Sequence, residues 1–248
     1  MAPGRRGNLG FSIMTKTVVV TGANRGLGLE LVRNYITEGA DVWGACRRPA
    51  EATDLEALHP AGILELDISS EISTKRFGAH LGDSAERIDL LINNAGVSGP
   101  EIGILRKQSS WQMVSVDNTL EMIRTNGLGA MLVTRAVLPL LDVAERPKVV
   151  NITSQLGSMK VGREFTNFPY AVSKAVMNMF TAQAAHQLSS LGVMVVCFHP
   201  GWVQTRMGGK DADLSPEESA RGIVETIESL NNSDSGKFFR WDGTEHPW

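Results

Sequence analysis

VVNITSQLGS, residues 149–158, opens a stretch that closes in YAVSK, residues 170–174. Residues 149–152 form an apolar, largely β-branched run, the pattern of a strand buried on both faces of a parallel sheet. Such a strand delivers Ser154 to its carboxyl end, where open α/β sheets bind ligands. A loop carrying Gly157, Gly162 and Pro169 follows, and a long helix opens near Tyr170. Tyr170 and Lys174 stand four residues apart, so a helix stacks them on one face. A hydroxyl, a phenol and an ammonium then converge, which is equipment for moving a proton on and off an oxygen. Most Tyr and Lys pairs at this spacing are a packed ring beside a solvated amine. The chain has only two tyrosines, however, and Tyr35 has Gly39 at the matching position.

Outward from this stretch the chain alternates between strand and helix patterns. Upstream, strands are expected at residues 16–21, 40–46, 62–66 and 88–92, and helices at 27–36, 51–58 and 72–81. A longer helical region spans residues 118–141. Downstream come a strand at 193–199, a helix opened by Ser215 and Pro216, and an edge strand at 236–241. This alternation implies a single-domain α/β Rossmann fold: a doubly wound parallel sheet of about seven strands with helices on both faces.

The chain has 248 residues, the size of one such domain, and no linker, repeat or low-complexity tract divides it. Residues 15–248 read as the domain. Residues 1–14 are basic and Gly-rich without a continuous apolar core, which excludes a signal peptide and suggests a disordered extension or an artefact of the start codon. A net charge of −3 and a pI near 6.0 exclude a nucleic-acid surface. No segment has the length and apolarity of a membrane span. The two cysteines, Cys46 and Cys197, fall in expected strands, so they read as free buried thiols of a reducing, cytoplasmic compartment. No Cys/His cluster offers metal ligands, and no metal is expected. A serine hydrolase needs glycines two residues either side of its nucleophile, whereas Ser154, with Thr153 and Gln155 beside it, has Ile152 and Leu156 there.

Gly22, Gly26 and Gly28 lie between the first strand and first helix, where glycine lets the backbone approach a pyrophosphate held by the helix N-terminus. With this turn the motifs become a set: TGANRGLG, Asp67, NNAG at 93–96, Asn126, Ser154, Tyr170 with Lys174, and Pro200-Gly201 with Thr205. In order and spacing they resemble the short-chain dehydrogenase/reductase family. The segments SPEES and KFFRWDGTEHPW look like its C-factor or sniffer-like carbonyl reductase branch.

The resemblance implies an oxidoreductase that moves hydride between NADP(H) and a small-molecule carbonyl or alcohol. It makes Asn126, Ser154, Tyr170 and Lys174 catalytic. Gly22, Asn24, Arg25, Gly26, Leu27 and Gly28 would bind the cofactor, with Arg47, Asp67, Ile68, Asn94, Ala95, Gly96, Pro200, Gly201, Val203 and Thr205; Tyr170 and Lys174 would touch it too. Asp67 would meet the adenine edge, Asn94 to Gly96 the adenosine ribose and Thr205 the carboxamide. Asn126 would sustain a helix bend and a water chain leading from Lys174. The second strand ends Cys46-Arg47-Arg48 with no acid to take a ribose hydroxyl, so with Arg25 opposite the expected cofactor is NADPH. Arg48, before Pro49, reads as a solvated arginine, and His199 as a satisfied strand-end histidine.

Lowering a phenol pKa from about 10 to neutrality needs about 4 kcal/mol, which one charge about 4 Å away supplies at an effective dielectric near 20. Two departures from the family pattern stand out: REFTNF is inserted before Tyr170, and the lid after Thr205 is short, implying an open site. The apolar residues of the Tyr170 helix suggest a homodimer or homotetramer. The competing reading is a C-factor-like signalling or dinucleotide-sensing protein.

Overall fold

The computed structural model describes residues 15–99, 111–161, 165 and 167–248. The expected extension at residues 1–14, and residues 163, 164 and 166 of the expected insert before Tyr170, lie outside them.

Seven strands form one parallel sheet in the order β3-β2-β1-β4-β5-β6-β7. They are β1 (Thr17–Thr21), β2 (Asp41–Cys46), β3 (Gly62–Glu65), β4 (Leu90–Asn93), β5 (Lys148–Ile152), β6 (Met194–His199) and β7 (Phe238–Arg240). Val19 and Leu91 point to one face and Val18, Val20, Leu90 and Ile92 to the other, because side chains alternate along a strand. On the second face pack α1 (Gly26–Thr37) and α7 (Pro216–Ser229), through Leu31, Tyr35, Ile223 and Ile227, with Leu55 of the short α2 (Thr53–Glu56). The first face carries α3 (Glu71–Gly82), α5 (Gly129–Leu141) and α6 (Phe168–Gln187), through Phe77, Val133, Val137 and Ala184. This is the doubly wound arrangement, with α4 (Val116–Met122) running into α5 through a π-helical stretch, Ile123–Leu128.

Several boundaries differ from expectation for local reasons. Ile88 gives its N–H to Leu140 O at 2.9 Å, so β4 begins two residues later. The segment 51–58 splits into a 3-10 turn at Pro49–Glu51 and α2, which stops short of His59 at φ 53 and Pro60. Pro169 belongs to the first turn of α6 and not to the loop, because the N–H it lacks has no helical partner there.

A buried polar ladder crosses the sheet centre. Asn93 Nδ2 donates to Thr134 Oγ1 (3.1 Å) and to Asn151 Oδ1 (2.9 Å), and Asn151 Nδ2 donates to Thr181 Oγ1 (2.9 Å). It ties β4 and β5 to α5 and α6.

Much of the apolar surface of α6 is covered within the chain. Met177, Ala184 and Ala185 are buried, Phe180 joins the core and Val176 packs on Gly127, whereas Met179 is 60% exposed. Both cysteines are free and buried. Among the described residues no helix is long and apolar enough to cross a membrane.

Candidate active site

All seven strands point their carboxyl ends to one edge, and a cleft of about 1510 Å³ opens there. At one end it is lined by Arg25, Arg47 and Asp67 and at the other by Ser154 and Tyr170, while Thr205 lines it beside Gly26.

The glycine turn is shaped by contacts that exclude a side chain. Gly22 has φ 67, and a Cβ on Gly28 would lie 2.3 Å from Gly22 O. Asn94 braces the turn, its Nδ2 donating to Thr21 O at 2.9 Å and Gly22 O at 3.3 Å. Thr21 Oγ1 accepts from the N–H groups of Asn94 (3.1 Å) and Ala95 (3.0 Å). Thr21, the first residue of TGANRGLG, is thus a structural partner of the turn, a role the motif alone does not assign. Asn24 and Leu27 line the cleft beside it, and Arg25 precedes the first turn of α1, exposed and making no side-chain cap. Arg47 is also exposed on the cleft wall, whereas Arg48 pairs with Glu51 at 3.2 Å, the surface role expected of it. Asp67 Oδ1 accepts from the Ser69 N–H (2.9 Å) and hydroxyl (2.7 Å), which fixes the carboxylate beside the buried Ile68.

At the opposite end, β5 and α6 bring three groups together. Ser154 is buried and its Oγ accepts from Leu156 N at 3.2 Å, which leaves the hydroxyl proton to donate elsewhere. Lys174 is 4% exposed; its Nζ donates to Ile152 O at 2.8 Å and stands 5.7 Å from the Tyr170 ring centre. Burial pulls the lysine pKa down to about 8, with the neighbouring Cys197 opposing that fall. Gly96 lies between them and Asn126: a Cβ there would be 3.0 Å from Asn126 Oδ1 and 3.7 Å from Lys174 Nζ.

Asn126 sits behind the cleft wall, fully buried in the π-helical stretch. Its Oδ1 accepts from Val97 N (2.8 Å), and its Nδ2 donates to Val97 O (2.8 Å) and Ser173 Oγ (3.0 Å). Its bonds therefore run to Val97 and Ser173, while the Lys174 ammonium bonds to β5.

After β6, Pro200, Gly201 and Val203 line the cleft. Thr205 Oγ1 accepts from Gly208 N at 3.1 Å, and Gln204 N donates to Leu214 O at 2.8 Å, so the short lid closes on itself. His199 corrects the expectation of a satisfied histidine: it is 8% exposed, lines the cleft, and its Nδ1 has no hydrogen-bond partner. Burial and the nearby His246 hold its pKa down at about 4. Ser98, Asn167 and Trp202 also line the cleft and were not identified from the sequence: Ser98 and Trp202 stand beside motif residues without being motif positions, and Asn167 lies in the insert.

The sequence profile of the family described as short chain dehydrogenase matches residues 16–214. The chain belongs to this family. The dehydrogenase is 40% identical over 164 residues to the C-signal of Myxococcus xanthus, spanning 65% of this chain and 93% of that one. Its fold matches the carbonyl reductase Sniffer of D. melanogaster at TM-score 0.86 and 30% identity, covering 95% of this chain and all of that one. It matches the NADPH-bound carbonyl reductase from chicken fatty liver at TM-score 0.85 and 29% identity, with the same coverage. These similarities put the dehydrogenase in the C-factor and sniffer-like branch.

Proposed function

We propose that the chain is an NADPH-dependent carbonyl reductase that also runs the reverse alcohol oxidation. The observation that carries this reading is one continuous cleft with Arg25 and Arg47 at one end and Ser154, Tyr170 and Lys174 at the other. The residues fit a dinucleotide. Gly22 and Gly28 leave a cradle that a Cβ would fill, at the N-terminus of α1. The carbonyl reductase from chicken fatty liver, a structural neighbour, binds NADPH.

When bound, the cofactor supplies the hydride. The chain's own groups handle the oxygen. Tyr170 gives its phenolic proton to the carbonyl oxygen as charge grows there, and Ser154 holds that oxygen with the hydroxyl proton left free by its bond from Leu156 N. Lys174, buried beside the phenol, stabilises the phenolate and holds the ribose hydroxyls. Asn126 fixes the bend that sets α4 against α6. Asp67 and Ile68 receive the adenine, Asn94 to Gly96 its ribose, and the loop from Pro200 to Thr205 the carboxamide.

Each arginine bonded to the 2′-phosphate contributes about 1.5–3 kcal/mol, so two favour NADPH over NADH roughly a hundredfold or more. The test is NADPH consumption against ketones, aldehydes and quinones, repeated with Arg25 and Arg47 both changed to alanine. Turnover is expected with the native protein, and in the double variant a steep rise in KM for NADPH with KM for NADH nearly unchanged. Equal losses with both cofactors would show that the arginines support the fold and do not read the phosphate. Absence of turnover across the panel would favour the second reading, a signalling role, which the likeness to the C-signal supports. Two further parts of the proposal are a cytoplasmic location, supported by the free thiols, and self-association through α4 and α6. Leu120 (57% exposed), Leu128 (40%) and Met179 (60%) offer an apolar surface on those elements and the stretch that follows α4.

A further inference from the structure

Residues 244–248 turn back after β7 and run antiparallel along its outer edge. Arg240 N donates to Thr244 O at 2.8 Å, His246 N to Phe238 O at 2.6 Å, and Phe239 and Glu245 form a bridge. Two side chains seat the segment. The buried His246 ring lies 4.5 Å from that of Phe238 and 5.9 Å from that of His199, and the Trp248 ring lies 5.5 Å from Phe238. The segment then reaches past the sheet edge, where Trp248 O accepts the N–H of Lys160 at 3.1 Å.

Lys160 belongs to the loop that begins at Ser154. Closer to β5 this loop is held by α6: Asn178 Nδ2 donates to Gly157 O at 3.1 Å, and Gly157 lies against the backbone of Lys174. Beyond Gly157 its holds include a bond within the loop, Val161 N to Ser158 Oγ at 3.2 Å, and the bond to Trp248. The same segment touches the opposite wall through His199, which lines the cleft immediately before Pro200 and Gly201.

We propose that residues 244–248 are a strap that positions the substrate wall, with Trp248 and His246 as positioning residues that act through the Ser154 loop and His199. This rests on the reading above, in which Ser154 holds the carbonyl oxygen. The dinucleotide end of the cleft, at the glycine turn and Arg47, belongs to β1, α1 and β2, elements the strap does not touch. Releasing the strap therefore weighs on substrate binding more than on cofactor binding, of which it borders only the Pro200–Thr205 loop through His199.

The experiment compares Trp248→Ala, Trp248→Phe and His246→Ala with the native protein by amide hydrogen exchange and steady-state kinetics. In Trp248→Ala the amides of residues 156–161 are expected to exchange about tenfold faster, and KM for the carbonyl substrate to rise about tenfold. The Kd for NADPH should stay within about twofold, and phenylalanine should restore both losses because it retains a ring against Phe238. His246→Ala should act in the same direction. Unchanged exchange at 156–161 would overturn the strap. So would faster exchange with an unaltered KM, or a parallel loss of NADPH affinity. Should the native protein turn over no carbonyl compound, the reductase reading fails by itself, and the exchange of residues 156–161 alone decides whether the strap exists.

Discussion

Tyr170→Phe removes one oxygen atom and leaves the ring in place. If that oxygen is the proton donor, turnover should fall by well over tenfold while NADPH binds almost as before; a tenth or more of native activity would rule the assignment out. Lys174→Ala should harm both turnover and NADPH affinity, because in the proposed mechanism the ammonium serves both the phenol and the ribose. His199 supplies a different prediction. Its folded pKa of about 4 lies below the ordinary 6.5, so between those values the unfolded chain takes up a proton that the folded chain excludes. Stability is therefore lost as pH falls through that window, by an amount on the order of 3 kcal/mol. Chemical denaturation from pH 7 to pH 4 should show the gap between the native protein and His199→Asn narrowing with acid. A constant gap would mean that the ring is protonated without penalty.

The π-helical stretch illustrates what an element adds to its residues. Asn126 meets both backbone polar groups of Val97, so Asn126→Ala leaves a buried N–H and a buried C=O unpaired. The expected loss is about 3 kcal/mol, read as a lower denaturation midpoint with an unchanged slope. The bend at Asn126 was implied by the family resemblance; Val97 as its partner was not. The same division runs through the chain. β1, β5 and β6 announce themselves as apolar runs, and the Tyr170 and Lys174 spacing follows from helical geometry alone. Strand order carries no such local signature. Whether Asn151 faces Asn93, or Lys160 meets Trp248, is decided only once the crossovers have chosen neighbours. His199 was misread for this reason: its sequence neighbours say strand end, but they do not tell that His246 packs on its ring or that its Nδ1 is left without a hydrogen-bond partner.

At the scale of the molecule, one sheet edge carries the cleft, and α4 with α6 presents Leu120 and Met179 to solvent. Light scattering at micromolar concentration should return a species larger than the 26.9 kDa chain; a monomer would show that this surface needs no second copy. The parallel sheet has a further consequence, in time rather than in space. Among the seven described strands of the sheet no neighbouring pair can form as a hairpin: Trp43 pairs with Gly62, Val18 with Leu90 and Lys148 with Met194. Each pairing must close a long loop before it gains any contact, so refolding from denaturant should be slow, and unfolded chains should have time to stick together. Stopped-flow refolding complete within a few milliseconds would contradict this. A chain that assembles so slowly depends for its working life on how rarely it comes apart.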